Sequence, residues 1–144
     1  KSISQRFSKN KILLFSQANN ENIKTAEVLV IDNIGMLSSL YQYADIAYIG
    51  GGFGKGIHNI LEPGAFGIPV FFGPNFKRFN EATGMCEKGG AASVSEVNTL
   101  VAFLEDTPRL VQMGKATGAY VASHLGATEE IMNYLSEKYF SKVE

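Results

Sequence analysis

The chain has 144 residues, a formal net charge of −1 and an apolar fraction of 45%. This length and composition predict one globular domain with a substantial core, and the apolar runs are too short to cross a bilayer. Lys and Arg are scattered and give no nucleic-acid footprint, while the single cysteine, Cys86, excludes an internal disulfide and a thiolate metal site.

The amino-terminal residues indicate a chain that is entered partway through an α/β unit. Residues 2–8 resemble the tail of a helix, a strand follows abruptly, and position 1 is Lys rather than Met. We therefore expect a piece of a longer protein, without the first strand of its domain. Five short runs rich in Val, Ile and Phe predict strands that are buried on both faces. These runs are residues 11–15, 27–32, 44–50, 69–73 and 91–94.

Segments with helical spacing lie between and after these strands. They are predicted around 37–41, from 76 to 90, after a Ser95 cap, from Thr107-Pro108 onwards and over 128–140, whereas the polar residues 16–26 predict a loop. Strands that alternate with helices are typical of a mainly parallel, doubly wound sheet. We expect an α/β fold in a single domain over residues 1–144.

A glycine-rich stretch, "GGGFGKG" at residues 50–56, follows the third strand directly. Ligands of such sheets bind beyond the carboxyl ends of the strands, and a helix start near His58 and Asn59 would offer unpaired N–H groups. Glycines let a phosphate approach the backbone, Lys55 adds a charge and Asn59 adds a donor. The stretch therefore predicts an anion site; the alternative is a turn that only closes the strand onto the helix.

Glu62 is expected about one turn into that helix, in apolar surroundings next to Pro63. A buried carboxylate needs a partner. The hydroxyls of a ribose would serve, and so would a salt bridge to Lys or Arg or a cap on a neighbouring loop; the residues leave these alternatives open. His58 could act as a base, but such a residue more often orients a loop.

Two further loops are expected on the same rim. Gly35 follows the second strand, and "GPNFKR" at residues 73–78 follows the fourth with Asn75, Lys77 and Arg78. Three strand-end loops on one rim favour a nucleotide cleft, although the two cations could also belong to a solvated helix face. The dinucleotide G-x-G-x-x-G pattern fails at Lys55, the Walker pattern is absent, and two histidines argue against a histidine metal site.

Residues 28–82 resemble the carboxy-terminal domain of the 3-deoxy-D-manno-octulosonic acid (Kdo) transferases of lipopolysaccharide synthesis. The resemblance rests on an Asp before a glycine-led helix, a "GG" strand end, "HN-x-LEP-x-A/G-x-G-x-PV" and "GP" followed by "F-x-E". The matching residues, in order, are His58, Asn59, Leu61, Glu62, Pro63, Gly67, Pro69, Val70, Gly73, Pro74, Phe79 and Glu81. Departures from the family pattern occur at Met36, Gly52, Ile57 and Arg78.

The resemblance implies the Rossmann-like carboxy-terminal half of a GT-B glycosyltransferase that binds the donor CMP-Kdo and transfers Kdo to a lipid A precursor with inversion. It implies no metal and no cofactor. Glu62 would hold the ribose, and Asn59, the 50–56 backbone and Gly35 would meet the phosphate. The nucleotide-site residues expected are Gly35, Gly50, Gly51, Gly52, Lys55, Gly56, His58, Asn59 and Glu62, with Asn75, Lys77 and Arg78 as further candidates.

The same resemblance places the general base, the lipid A precursor and any membrane contact in an absent amino-terminal domain. The full-length enzyme would act at the cytoplasmic face of the bacterial inner membrane, and this fragment would be soluble and inactive by itself. Two other functions stay open: a GT-B domain that uses a UDP-sugar, and a non-catalytic nucleotide-binding α/β module. Preference for cytosine over uracil would separate the Kdo transferase hypothesis from the UDP-sugar hypothesis.

Overall fold

Strands and helices alternate along the chain in the computed structural model, which describes residues 11–140. The predicted helix tail at residues 2–8 lies outside the described residues. The chain divides into two compact units, Lys1–Leu40 and Tyr41–Glu144. The single domain expected over 1–144 stays a prediction.

The first unit contains a two-stranded parallel sheet. β1 (Ile12–Leu14) pairs with β2 (Val28–Val30), and Leu13 lies opposite Leu29. Both strands form where apolar runs predict them, although their side chains are partly buried or, at Leu29, exposed. A short helix, α1 (Leu37–Leu40), follows β2 in the same unit.

The polar segment between β1 and β2 is more regular than the predicted loop. It contains two 3₁₀ turns, Phe15–Gln17 and Asn22–Thr25. Two asparagine side chains explain the second turn: Asn19 Oδ1 accepts the N–H of Asn22 at 2.9 Å, and Asn22 Oδ1 accepts the N–H of Asn19 at 2.8 Å. Asparagine favours such local side-chain to backbone bonds, so the polar composition encodes turns rather than irregular chain.

The second unit is built on a three-stranded parallel sheet in the order β3-β4-β5. Its strands are β3 (Ala47–Ile49), β4 (Val70–Phe72) and β5 (Ala91–Ser93). The expectation of burial on both faces holds for β4, which has a strand on either side, but not for β3, where Tyr48 is 46% exposed. The parallel strands and mixed α/β architecture confirm the predicted α/β class with parallel strands.

Helices connect and follow these strands. They are α2 (Leu61–Ala65), α3 (Asn80–Glu87), α4 (Val97–Leu104), α5 (Thr107–Ser123) and α6 (Ala127–Leu135), the last continuing into a π-helical turn at Ser136–Phe140. Within the described part of the chain, none of them combines the length and apolar character that a membrane span requires.

The sheet of the second unit packs on both faces because successive side chains of β4 point in opposite directions. Val70 and Phe72 join a core with Met85 of α3, and Phe71 joins a second core with Met113 of α5. All three β4 residues are fully buried. The sheet is therefore held rigidly at its centre, which sets the position of the loops at its carboxyl edge.

Three predicted helix starts are wrong. α2 begins at Leu61 instead of near His58, α3 begins at Asn80 instead of at residue 76, and α4 has Glu96 rather than Ser95 at its N-cap, without a side-chain cap bond. The start of α5 is as predicted, because Asp106 accepts the N–H of Arg109 at 3.0 Å and proline stands in the first turn.

Candidate functional site

Two loops meet at the carboxyl edge of the second sheet: the glycine loop, residues 50–60 after β3, and the second loop, residues 73–79 after β4. Because β3 and β4 are parallel neighbours, both loops leave the sheet at the same edge. Asn75 joins them: its N–H donates to the Gly52 carbonyl at 2.8 Å, and its Nδ2 donates to the Gly54 carbonyl at 2.9 Å. The structure thus brings together two of the three loops that the sequence predicts on one rim.

The glycine loop folds back on itself through backbone hydrogen bonds. The Gly51 carbonyl accepts the N–H groups of Gly54 and Gly56 at 2.9 and 3.3 Å, and the Gly50 carbonyl accepts the N–H of His58 at 3.2 Å. Gly51 has φ +92°, a left-handed conformation that side chains disfavour. The glycines therefore serve a tight, self-bonded turn, whether or not an anion also binds there.

His58 is exposed and lies beside the start of this turn. A Cβ built on Gly51 would lie 3.3 Å from Cδ2 of the imidazole ring. Together with the bond from its N–H to the Gly50 carbonyl, this contact makes His58 a residue that closes the loop. This position agrees with the loop-orienting role considered for His58.

Asn59 and Glu62 form a connected pair at the start of α2. Asn59 Oδ1 accepts the N–H of Leu61 at 2.9 Å, while Asn59 Nδ2 donates to Glu62 Oε1, also at 2.9 Å. The amide thereby satisfies the first N–H group of the short helix and holds the carboxylate in one orientation. Oε2 of Glu62 receives no hydrogen bond from any described residue. A ligand hydroxyl can donate to that oxygen.

The predicted burial of Glu62 is wrong. Its side chain is exposed, and the buried side of α2 is formed instead by Pro63 and by Gly64, which lies close to Val121 and Thr117 of α5. The salt-bridge alternative also fails, because across residues 11–140 no Lys, Arg or His nitrogen lies within 4.0 Å of the Glu62 carboxylate. The carboxylate therefore stands at the surface, and its hydrogen-bond partner among the described residues is Asn59.

The helix start offers less to an anion than the sequence predicts. The N–H of Leu61 already donates to Asn59, and Pro63 has no N–H. A helix of five residues also carries a small dipole. An anion at this edge would have to use the glycine loop and nearby cations rather than the start of α2.

Three cations lie in one shallow depression at the junction of the two loops. Its volume is about 280 Å³, and it is lined by Gly54, Lys55, Asn75, Lys77 and Arg78. The candidate cations of both loops are thus brought together, although they are distant in the sequence. We call this depression the basic pocket.

Sequence reasoning missed several aromatic residues around these loops. Phe53 is 64% exposed and lines, with Tyr48 and Val94, an apolar cavity of about 180 Å³. A large aromatic residue between glycines was the available signal. Tyr41 was missed as well: burial, and then the charge of Glu62, raise the pKa of its hydroxyl.

Gly35 belongs to the first unit, unlike the other candidate residues. It has φ +96° and lies in a bend at residues 33–35, just after Asp32. The hydroxyl and N–H of Ser16 both donate to the Asp32 carboxylate, at 2.5 and 3.0 Å, and these bonds lower the pKa of Asp32. The placement of Gly35 on the same rim as the glycine loop stays a prediction.

The curated proteins that resemble this chain share one description. No protein-family model matches the chain. A 3-deoxy-D-manno-octulosonic acid transferase from Aquifex aeolicus is 42% identical over 72 residues, which are 49% of this chain and 20% of that protein. The enzymes of the same description from Bordetella pertussis and Haemophilus influenzae are each 31% identical, over 77% and 81% of this chain and 27% and 28% of theirs.

A solved structure has the same fold. The crystal structure of the C-terminal CMP-Kdo binding domain of WaaA from Acinetobacter baumannii matches with a TM-score of 0.59 and 21% sequence identity, over 74% of this chain and 60% of that one. The chain spans only 20% to 28% of the length of the three curated relatives.

Proposed function

Because the chain belongs to the 3-deoxy-D-manno-octulosonic acid transferase family, we propose that it binds the nucleotide-sugar donor, CMP-Kdo, of a glycosyltransferase. The observation that carries this proposal is the Asn59–Glu62 pair at the strand-end rim. A ribose diol donates two hydroxyl hydrogens, and Glu62 presents a carboxylate that Asn59 orients and that no cation of residues 11–140 pairs with. The family likeness and the solved relative's described ligand support the same assignment.

The remaining candidate residues take roles around the nucleotide phosphate. The backbone of Gly50, Gly51, Gly52 and Gly56 lets the phosphate approach closely, and Lys55 supplies a positive charge. His58 closes the loop, and the phosphate role of Gly35 stays a prediction. These donors act most strongly when the bond to the phosphate breaks and negative charge develops on its oxygens.

In the whole enzyme the reaction is Kdo transfer to a lipid A precursor with inversion. An acceptor hydroxyl oxygen attacks the anomeric carbon of Kdo, the bond from that carbon to the phosphate oxygen breaks, and CMP leaves with the electron pair. The hydroxyl proton passes to a general base. The matched relatives are much longer than this chain, and we propose that the base and the acceptor site lie in their additional sequence, in a GT-B arrangement at the cytoplasmic face of the inner membrane.

Calorimetric titration with CMP and UMP tests the donor assignment. We expect CMP to bind more tightly than UMP, and Glu62→Ala to weaken CMP binding by roughly 1–3 kcal/mol because the ribose hydroxyls lose their acceptor. Glu87→Ala, which removes an exposed carboxylate from α3, is the matched control and should leave the dissociation constant unchanged.

The outcomes separate the alternatives. Equal affinity for CMP and UMP would favour a UDP-sugar donor and remove the assignment of CMP-Kdo. Unchanged CMP binding in the Glu62 variant would remove the ribose role. Absence of binding to either nucleotide would overturn the donor-binding proposal as a whole.

A further inference from the structure

The basic pocket carries more positive charge than a single phosphodiester needs. Lys55 comes from the glycine loop, and Lys77 and Arg78 come from the second loop. Across the described residues, the one ion pair within 4.0 Å joins Lys11 to Glu27, so none of these three cations is paired with a carboxylate. Three like charges in one depression repel each other, and a bound anion would relieve that repulsion.

The pocket is held in shape by the contact between its two loops. Asn75 bonds to the carbonyls of Gly52 and Gly54, and the backbones of Gly52 and Gly73 are in close contact. Both loops start from neighbouring parallel strands of one sheet. The contact between the two loops therefore fixes the backbone positions of Lys55 and of the second-loop cations relative to each other.

Arg78 is positioned against both loops. Its guanidinium carbon lies 5.1 Å from the centre of the Phe79 ring, and a Cβ built on Gly56 would come within 2.6 Å of its Nη2 atom. Glycine at position 56 thus leaves room for the guanidinium at the wall of the glycine loop. A stacked guanidinium presents its planar donors at its edge, the geometry that suits a carboxylate.

We propose that the basic pocket binds the carboxylate of the donor's acidic sugar, with Arg78 as the main specificity-determining residue. This inference rests on the proposed function. An ulosonic acid linked through its anomeric carbon carries its carboxylate on the very carbon that bears the phosphate, so two anionic groups lie side by side. The pocket shares Gly54 and Lys55 with the glycine loop proposed for the phosphate, which places a second anion site directly beside the first.

Binding of three probes to the protein tests this inference: CMP, CMP-Kdo and the C1 carboxamide of CMP-Kdo. The carboxamide has the same shape as the acid but no charge. We expect CMP-Kdo to bind about tenfold more tightly than the carboxamide, a difference of about 1.4 kcal/mol. In Arg78→Gln this preference should fall below about twofold, and in Lys77→Gln it should fall by a smaller factor; in both variants the loss of affinity for CMP-Kdo should exceed any loss of affinity for CMP.

Lys115→Gln is the control, since it removes one positive charge from the exposed face of α5, outside the basic pocket. It should keep the full preference for the acid. Equal weakening of all three probes in Arg78→Gln would assign the pocket to the phosphate and overturn the carboxylate role, with the donor site intact. An unchanged preference in both variants would also overturn it, and failure of the unsubstituted protein to bind CMP would overturn this inference and the proposed function together.

Discussion

Gly52 and Gly73 are packed backbone to backbone where the two site loops leave the sheet. A Cβ built on Gly52 would lie 2.5 Å from the Gly73 nitrogen, a distance that no real side chain tolerates. The contact joins the ends of two neighbouring parallel strands, and Asn75 reinforces it with its bond to the Gly52 carbonyl. The rim of the site therefore depends on the absence of a side chain at position 52.

This contact predicts that Gly52→Ala is severely disruptive for its size. The added methyl group must push the two loops apart, and we expect a loss of about 1–3 kcal/mol of unfolding free energy, as for other overpacking changes. CMP binding should weaken too, because the glycine loop moves. Urea unfolding and calorimetry measure the two effects.

The control for this change is Gly54→Ala in the same loop. The nearest atom to a Cβ there is the Gly51 carbonyl oxygen at 3.7 Å, an ordinary contact. We expect a change within about 0.5 kcal/mol. Similar losses in both variants would contradict the role of the Gly52–Gly73 contact.

Asn59 couples the start of α2 to the proposed ribose acceptor. Asn59→Ala removes the bond to the Leu61 N–H and the bond to Glu62 at once. We expect a loss of about 0.5–1.5 kcal/mol in stability, the usual range for a lost hydrogen bond, together with a several-fold rise in the CMP dissociation constant. Asn98→Ala on the exposed face of α4 should change neither quantity, and a purely structural role would alter stability while sparing CMP affinity.

Thr117 provides a stability test away from the site. Its buried hydroxyl lies 2.5 Å from the Gly90 carbonyl and 2.8 Å from the Met113 carbonyl, tying α5 to the residue before β5. Thr117→Val keeps the shape and removes the hydroxyl, so we expect a loss of about 1–2 kcal/mol in urea unfolding. Thr99→Val, exposed on α4, makes the same chemical change, and an equal loss there would contradict the assignment.

The hydrogen bonds from Ser16 to Asp32 make the stability of the first unit depend on pH. Its two hydrogen bonds lower the pKa of Asp32 below the ordinary value of 3.8. A folded-state pKa below the unfolded value contributes stability that is present above that value and is lost as the pH falls through the folded-state pKa. Ser16→Ala, which removes the side-chain bond, should raise the pKa of Asp32 in a carboxyl-carbon NMR titration. Ser38→Ala should leave it unchanged, and a Ser16 variant with the same pKa would contradict the hydrogen-bond account.

Local pattern in the sequence determined where the strands of this protein lie. The five apolar runs became five strands because short apolar runs bounded by turn residues fit a pleated sheet surface. The start of α5 could also be predicted from local sequence, because Asp106 and Pro108 both act within the first turn of that helix. The motifs across residues 28–82 likewise identified the family that the relatives support.

Contacts between residues distant in the sequence were decided only by the tertiary structure. No local pattern shows that Asn75 bonds to Gly54, or that Arg78 lies against Gly56, because parallel strand pairing brings these loops together across some twenty residues of chain. The exposure of Glu62 was likewise decided by the tertiary structure. An apolar neighbourhood in the sequence suggested burial, but helix geometry turned Pro63 inward and the carboxylate outward, and that rotation is set by how α2 packs on α5.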